Sequence, residues 1–82
     1  MINILFFARL REVVGQGIIQ YQPSLVKPLT VKLVLEEMKF QFIRLQDEKN
    51  IRAALNQELL SDWNTPVQDG DEIAFFPPIT GG

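Results

Sequence analysis

Neither cysteine nor histidine occurs in the 82 residues. Their absence removes disulfides, thiolate and imidazole zinc sites, Ser-His and Cys-His nucleophilic pairs, and the usual general base near neutral pH. Long apolar runs are missing as well. The longest near the N-terminus, Ile4 to Ala8, has no basic flank and falls far short of the roughly 20 residues that cross a bilayer, so no membrane segment and no export signal are expected. A small domain with neither staples nor signal is expected in the cytoplasm. The chain is also too short for a second domain. What remains for chemistry is hydroxyls, carboxylates, amines and the chain ends, so no active site of its own and no bound metal or cofactor are expected.

Basic residues are unevenly spread. All eight Lys and Arg lie in residues 1 to 52, while residues 53 to 82 hold none and carry Glu58, Asp62, Asp69, Asp71 and Glu72. Such a half repels phosphate backbones, which argues against nucleic acid and for a basic protein surface as its partner, if it is more than a solvated face. With 46% hydrophobic and 22% charged residues the chain has a globular composition.

Ile2, Ile4 and Phe6 alternate with Asn3, Leu5 and Phe7, which predicts a strand with two largely apolar faces. Arg9 to Val14 reads as a short helical or turn segment closed by Gly15, and Ile18 to Gln22 as a second strand. Pro23 and Pro28 bracket a loop. Thr30 is an N-cap, and Val31, Val34, Leu35, Met38, Phe42 and Leu45 recur at helical spacing, predicting an amphipathic helix over 30–40 with a further turn to 46. Leu33 and Phe40 fall on its opposite face. Gln46 to Asn50 reads as loop, Ile51 to Leu55 as strand, Asn56-Gln57 as turn, Glu58 to Ser61 as a short strand and Asp62 to Thr65 as loop. A turn at Gln68 to Asp71, with Gly70 free to take positive φ, leads to a last strand at Glu72 to Phe76. Alternation puts Ile73 and Phe75 on one face and Ala74 and Phe76 on the other before Pro77-Pro78 ends the ladder.

One main helix covers only one side of such a sheet. The fold class expected is therefore α+β, a mixed sheet of about five strands wrapped over one helix, with an open face. Phe7 and Phe76 belong to that face. They either fill a second small core under the Arg9 to Val14 segment or wait for a partner. Beyond Pro78 the chain reads Ile79, Thr80, Gly81, Gly82. Two prolines stiffen the exit and two glycines carry no side chain, so about six extended residues, roughly 20 Å, fit a narrow channel and deliver a terminal carboxylate.

End to end, and in the segments ILFFARLRE, AALNQELL and DGDEIAFFPPITGG, the chain resembles the ubiquitin-like β-grasp sulfur carriers, specifically the small subunits of molybdopterin synthase, the MoaD family. Many ubiquitin-like proteins end in Gly-Gly; the FFPP-x-x-GG ending is specific to this group. The resemblance implies a β-grasp domain over 1–78 and an extended tail over 79–82. It implies that a MoeB-like adenylating enzyme consumes ATP to activate Gly82, that a sulfur donor displaces AMP, and that the Gly82 thiocarboxylate enters a MoaE-like large catalytic subunit within a heterotetramer. There it gives sulfur to precursor Z, the cyclic pyranopterin monophosphate. Docking is implied through Phe7, Leu59 and Phe76, with Arg11 as a polar contact. A carrier for thiamine or tRNA thiolation, a modifier conjugated to lysines, and a non-reacting interaction domain stay open beside it; the thiamine carriers are shorter and lack FFPP.

Overall fold

The computed structural model describes residues 1–22 and 28–78. Strand β1, Ile2–Phe6, buries Ile2, Ile4 and Phe6 and turns Asn3 and Leu5 the other way. The chain then reverses through Ala8, whose φ of 52° is left-handed, into α1, Ala8–Val14. Leu10 and Val14, four apart on one stripe, go into the core. Gly15 ends α1 with φ 86°, its N–H donating to the Arg11 carbonyl at 2.8 Å. Only glycine takes that conformation without steric cost, hence the stop. Strand β2, Ile18–Tyr21, follows.

Helix α2, Val31–Gln41, starts where Thr30 Oγ1 accepts the Leu33 N–H at 3.2 Å. It buries Val31, Val34, Leu35 and Met38, the stripe that the spacing predicts. Phe42 leaves the helix, so Leu45 reaches the core from a separate 3₁₀ turn, Ile43–Asp47. Gln46 and Asp47, expected in a loop, belong to this turn because burial of Leu45 holds the chain coiled. Leu33, expected on the outer face, packs partly against the core. The Trp63–Thr65 segment comes up to that first turn, with Val31 N–H on the Thr65 carbonyl at 3.1 Å and Lys32 N–H on the Trp63 carbonyl at 2.9 Å. Phe40 stays exposed as expected.

Strands β3, Arg52–Leu55, and β4, Glu58–Leu59, form a hairpin. Its loop, Asn56-Gln57, has φ of 50° and 71°, the double positive φ of a two-residue turn that matches strand twist. The Asn56 side chain donates to Asp71 Oδ1 at 3.0 Å and accepts the Glu72 N–H at 2.9 Å, which ties this turn to the start of β5, Glu72–Phe76. Gly70, at φ 92°, makes the preceding turn.

The five strands lie in the order β2-β1-β5-β3-β4, with β1 and β5 parallel and the other pairs antiparallel. The α+β reading with a mixed five-stranded sheet is what the structure has. Ile4 lies beside Ile73 and Phe6 beside Phe75, so the core faces of the two central strands coincide beneath the helices. Phe75 sits 5.8 Å from the Phe6 ring and stacks on Trp63 at 6.5 Å and 5°. Among the described residues no buried side chain is polar or charged, so this core is held by apolar burial and packing. Strand boundaries fall a residue or two inside the expected ones. Pro23 and Ile79 to Gly82, including the proposed reactive end and the tail segment, lie outside the described residues.

Candidate functional site: an open apolar sheet face

The sheet face turned away from the helices is built by register. Directly opposed residues point to the same side. Leu5 pairs with Ile18 on β2 and with Ala74 on β5; Ala74 pairs with Ala54 on β3, and Ala54 with Leu59 on β4. One apolar row, Ile18-Leu5-Ala74-Ala54-Leu59, thus crosses all five strands. Its ends are bulky and exposed, Ile18 at 62% and Leu59 at 73%, and its middle is low because both alanines are small. Leu59 could not be assigned to a face from so short a strand; pairing with Ala54 assigns it.

Next to this row stand the two phenylalanines. The Phe7 N–H donates to the Phe75 carbonyl at 3.1 Å, which continues the parallel ladder by one residue and brings Phe7 beside Phe76. Phe7 is extended, at φ −114° and ψ 154°, and remains 49% exposed. Helix α1 directs Leu10 and Val14 into the main core and leaves Phe7 exposed, so the reading of Phe7 and Phe76 as a second small core is set aside. Phe76 is half-buried. On the far side of the alanine row the exposed edge is polar, with Asn3 beside Gln20 and Glu72.

Arg11 joins the face from α1. A shallow depression of about 310 Å³ is lined by Leu5, Phe6, Phe7, Arg11, Gly17 and Ile18. Gly17 is what lets Arg11 lie there: a Cβ on Gly17 would stand 3.1 Å from Arg11 Nε and 3.4 Å from Cζ. Arg52 enters on the other side, directly opposite Phe76. The expected contacts Phe7, Leu59, Phe76 and Arg11 are therefore brought onto one face, and Ile18, Leu5, Ala54, Ala74 and Arg52 join them. Alternation alone puts Leu5 with Phe7 and Ala74 with Phe76; Ile18, Ala54 and Arg52 join them only through register, since Ile18-Ile19 offers an apolar residue to either side.

The other arginine of α1 is paired locally. Arg9 Nε donates to Glu48 Oε1 at 2.8 Å, and that hydrogen bond, followed by the charge of Glu48, holds the Arg9 pKa above its ordinary value. Among the described residues no three acidic side chains gather as a metal-binding group, and no helix is long and apolar enough to cross a membrane.

A mixed sheet in this strand order, backed by one main helix and open on a face that exposes Phe7, Ile18 and Leu59, defines a ubiquitin-like β-grasp domain. The chain belongs to the ThiS family, whose model matches residues 4–82, and to the molybdopterin synthase sulfur carrier (MoaD) group of its relatives. It is 43% identical to the molybdopterin synthase sulfur carrier subunit of Escherichia coli (strain K12), with both chains covered in full. Among solved structures it resembles SAMP1 from Haloferax volcanii with a TM-score of 0.82 at 24% identity, covering 99% of this chain and 98% of that one. It also resembles a chain in the complex of subunits 1 and 2 of the molybdopterin-converting factor from Helicobacter pylori 26695, with a TM-score of 0.68 at 24% identity over 99% and 97% of the chains.

Proposed function

We propose that this chain is the sulfur carrier of a molybdopterin synthase and that Gly82 carries the sulfur. The observation that bears most weight is the full-length similarity to the Escherichia coli carrier, joined to a sheet face shared by Phe7, Phe76 and Leu59 that no other element covers among the described residues. A carboxylate is a poor electrophile until one oxygen becomes a leaving group. In the proposed cycle the Gly82 carboxylate attacks the α-phosphorus of ATP on a MoeB-like adenylating enzyme, pyrophosphate leaves, and an acyl-adenylate forms. A donor at the sulfide level, written as hydrosulfide, then adds to the acyl carbon and AMP departs, leaving the thiocarboxylate.

The loaded carrier docks on a MoaE-like large subunit, two of each forming a heterotetramer; its sulfur bonds to precursor Z, and water then cleaves the acyl–sulfur bond, leaving the sulfur on the pterin and returning the Gly82 carboxylate. Two such transfers make the dithiolene of molybdopterin. The domain supplies neither acid nor base. Its part is to hold the reactive end at high effective concentration, the open face gripping the partner while Gly82 is delivered to the reaction centre.

Intact mass after incubation with the adenylating enzyme, ATP and sulfide tests this. The expected product has one oxygen of Gly82 replaced by sulfur, and it makes molybdopterin with the large subunit. Deleting Gly82, or adding a residue after it, is expected to abolish both. A truncated or extended chain that still gains the sulfur and supports product formation overturns the assignment. A chain that is adenylated but forms only amide-linked adducts on lysines is a modifier instead.

A further inference from the structure

The acidity of the C-terminal third suggests a basic surface on whatever receives the tail, but the fold puts four of its five acids toward the start of β5, away from the point where the chain leaves the sheet. Asp69, Asp71 and Glu72 stand at the start of β5, whereas the chain leaves the sheet after Phe76, about 13 Å further along at roughly 3.3 Å per residue. Glu58 pairs with Leu55, and Leu55 with Ile73, so this acid too lies toward the start of β5. At the exit the open face carries arginine instead. Arg52 is opposite Phe76. Arg11 borders the depression beside Phe7, above the bare Gly17. Among the described residues neither arginine is held in an ion pair, in contrast to Arg9 with Glu48.

We infer that Arg11 and Arg52 bracket the Phe7-Phe76 pair as a charged clamp that selects a protein surface presenting carboxylates around its pockets for these two rings. Guanidinium suits such a clamp because it is weakly hydrated and offers a planar fork to a carboxylate. Glu72, at the other end of the face, gives the surface a polarity that fixes which way the partner lies across the strands. Gly17 is a positioning residue for Arg11. A methyl group there stands 3.1 Å from Nε, tighter than ordinary contact, and displaces the guanidinium by a few tenths of an ångström, while the backbone, which is not in the left-handed region, accepts alanine without strain.

This inference rests on the open face being the docking surface for the large subunit, and the experiment separates the two. Association and dissociation rates with the large subunit are measured for the intact chain, for Arg52→Glu, Arg52→Gln, Arg11→Glu, Gly17→Ala, the Gly17→Ala Arg11→Glu pair, and Phe76→Ala. Each variant's thermal melting reports whether it is folded. Charge reversal at either arginine is expected to slow association about tenfold, neutralisation by less, through lost electrostatic complementarity. Gly17→Ala is expected to slow it by less than Arg11→Glu and to shrink the further effect of Arg11→Glu.

Unchanged or faster association for the folded charge-reversal variants overturns the clamp, and faster association identifies a basic partner surface. Full, independent effects of Gly17→Ala and Arg11→Glu overturn the positioning role of Gly17. If Phe76→Ala also leaves both rates unchanged, the docking reading itself fails.

Discussion

Phe75 and Phe76 are adjacent and chemically identical, yet the pleat gives them opposite duties. Phe75 is fully buried between Phe6 and Trp63, and its truncation leaves a cavity, so Phe75→Ala is expected to cost about 3–5 kcal/mol, a large share of a small domain's stability. Phe76→Ala is expected to weaken binding to the large subunit by about 2 kcal/mol or more, as for a buried interface anchor, with a much smaller loss of stability. Calorimetric titration alongside thermal melting of both variants checks the order; the reverse order would mean the faces are inverted. A second residue-scale expectation concerns Gln57, which holds φ at 71°. Glycine there removes the steric cost of the left-handed region, about 1–2 kcal/mol, against a loss of about 0.5–1 kcal/mol in chain entropy. Gln57→Gly is therefore expected to raise the melting temperature by a few degrees, about 4–8 °C per kcal/mol in a domain of this size.

At the scale of elements, α2 was legible because cap and stripe agree. Thr30 Oγ1 accepts the Leu33 N–H, and Thr30→Ala is expected to destabilise the domain by about 1 kcal/mol in chemical denaturation, with no change in the affinity for the large subunit because the cap lies behind the sheet. What could not be read was where the periodicity changes. Phe42 and Leu45 continue the stripe in sequence, but the chain tightens into the 3₁₀ turn Ile43–Asp47, because Leu45 and Phe42 must meet a core whose shape is set by β1 and α1; Phe42 lies edge-on to Phe6 at 6.5 Å. Local spacing carries no information about that distant wall. The hairpin β3-β4 shows the same limit. Its turn was visible in Asn56-Gln57, whereas the face occupied by Leu59 depends on the pairing with Ala54.

For the whole molecule, charge placement outweighs net charge. The formal charge is only −2, but on the open face Arg11 and Arg52 stand at one end and Glu72 at the other, so in the proposed clamp orientation as well as attraction is electrostatic. Association with the large subunit is expected to slow as salt rises, since the screening length shrinks from about 10 Å at 0.1 M to about 3 Å at 1 M. Dissociation, governed by the apolar row and the phenylalanines, is expected to change far less. Stopped-flow rates across a salt series check this, and an association rate flat in salt would leave the charges as mere solvation.

The sequence by itself determined the strands and the capped helix, the alternation that separates Ile4 and Phe75 from Phe7 and Phe76, and the chemical character of the tail, since each depends on residues close together in the chain. Only the tertiary structure decided which distant residues share the open face. Register joins Ile18 to Leu59 across five strands, and the parallel pairing of β1 with β5 carries Phe7 to Phe76. The sign of charge beside the tail's exit was settled in the same way. Five acids follow residue 52 in the sequence, but the antiparallel run of β3 against β5 sets Arg52 opposite Phe76, because strand direction, and not proximity along the chain, determines which side chains stand together.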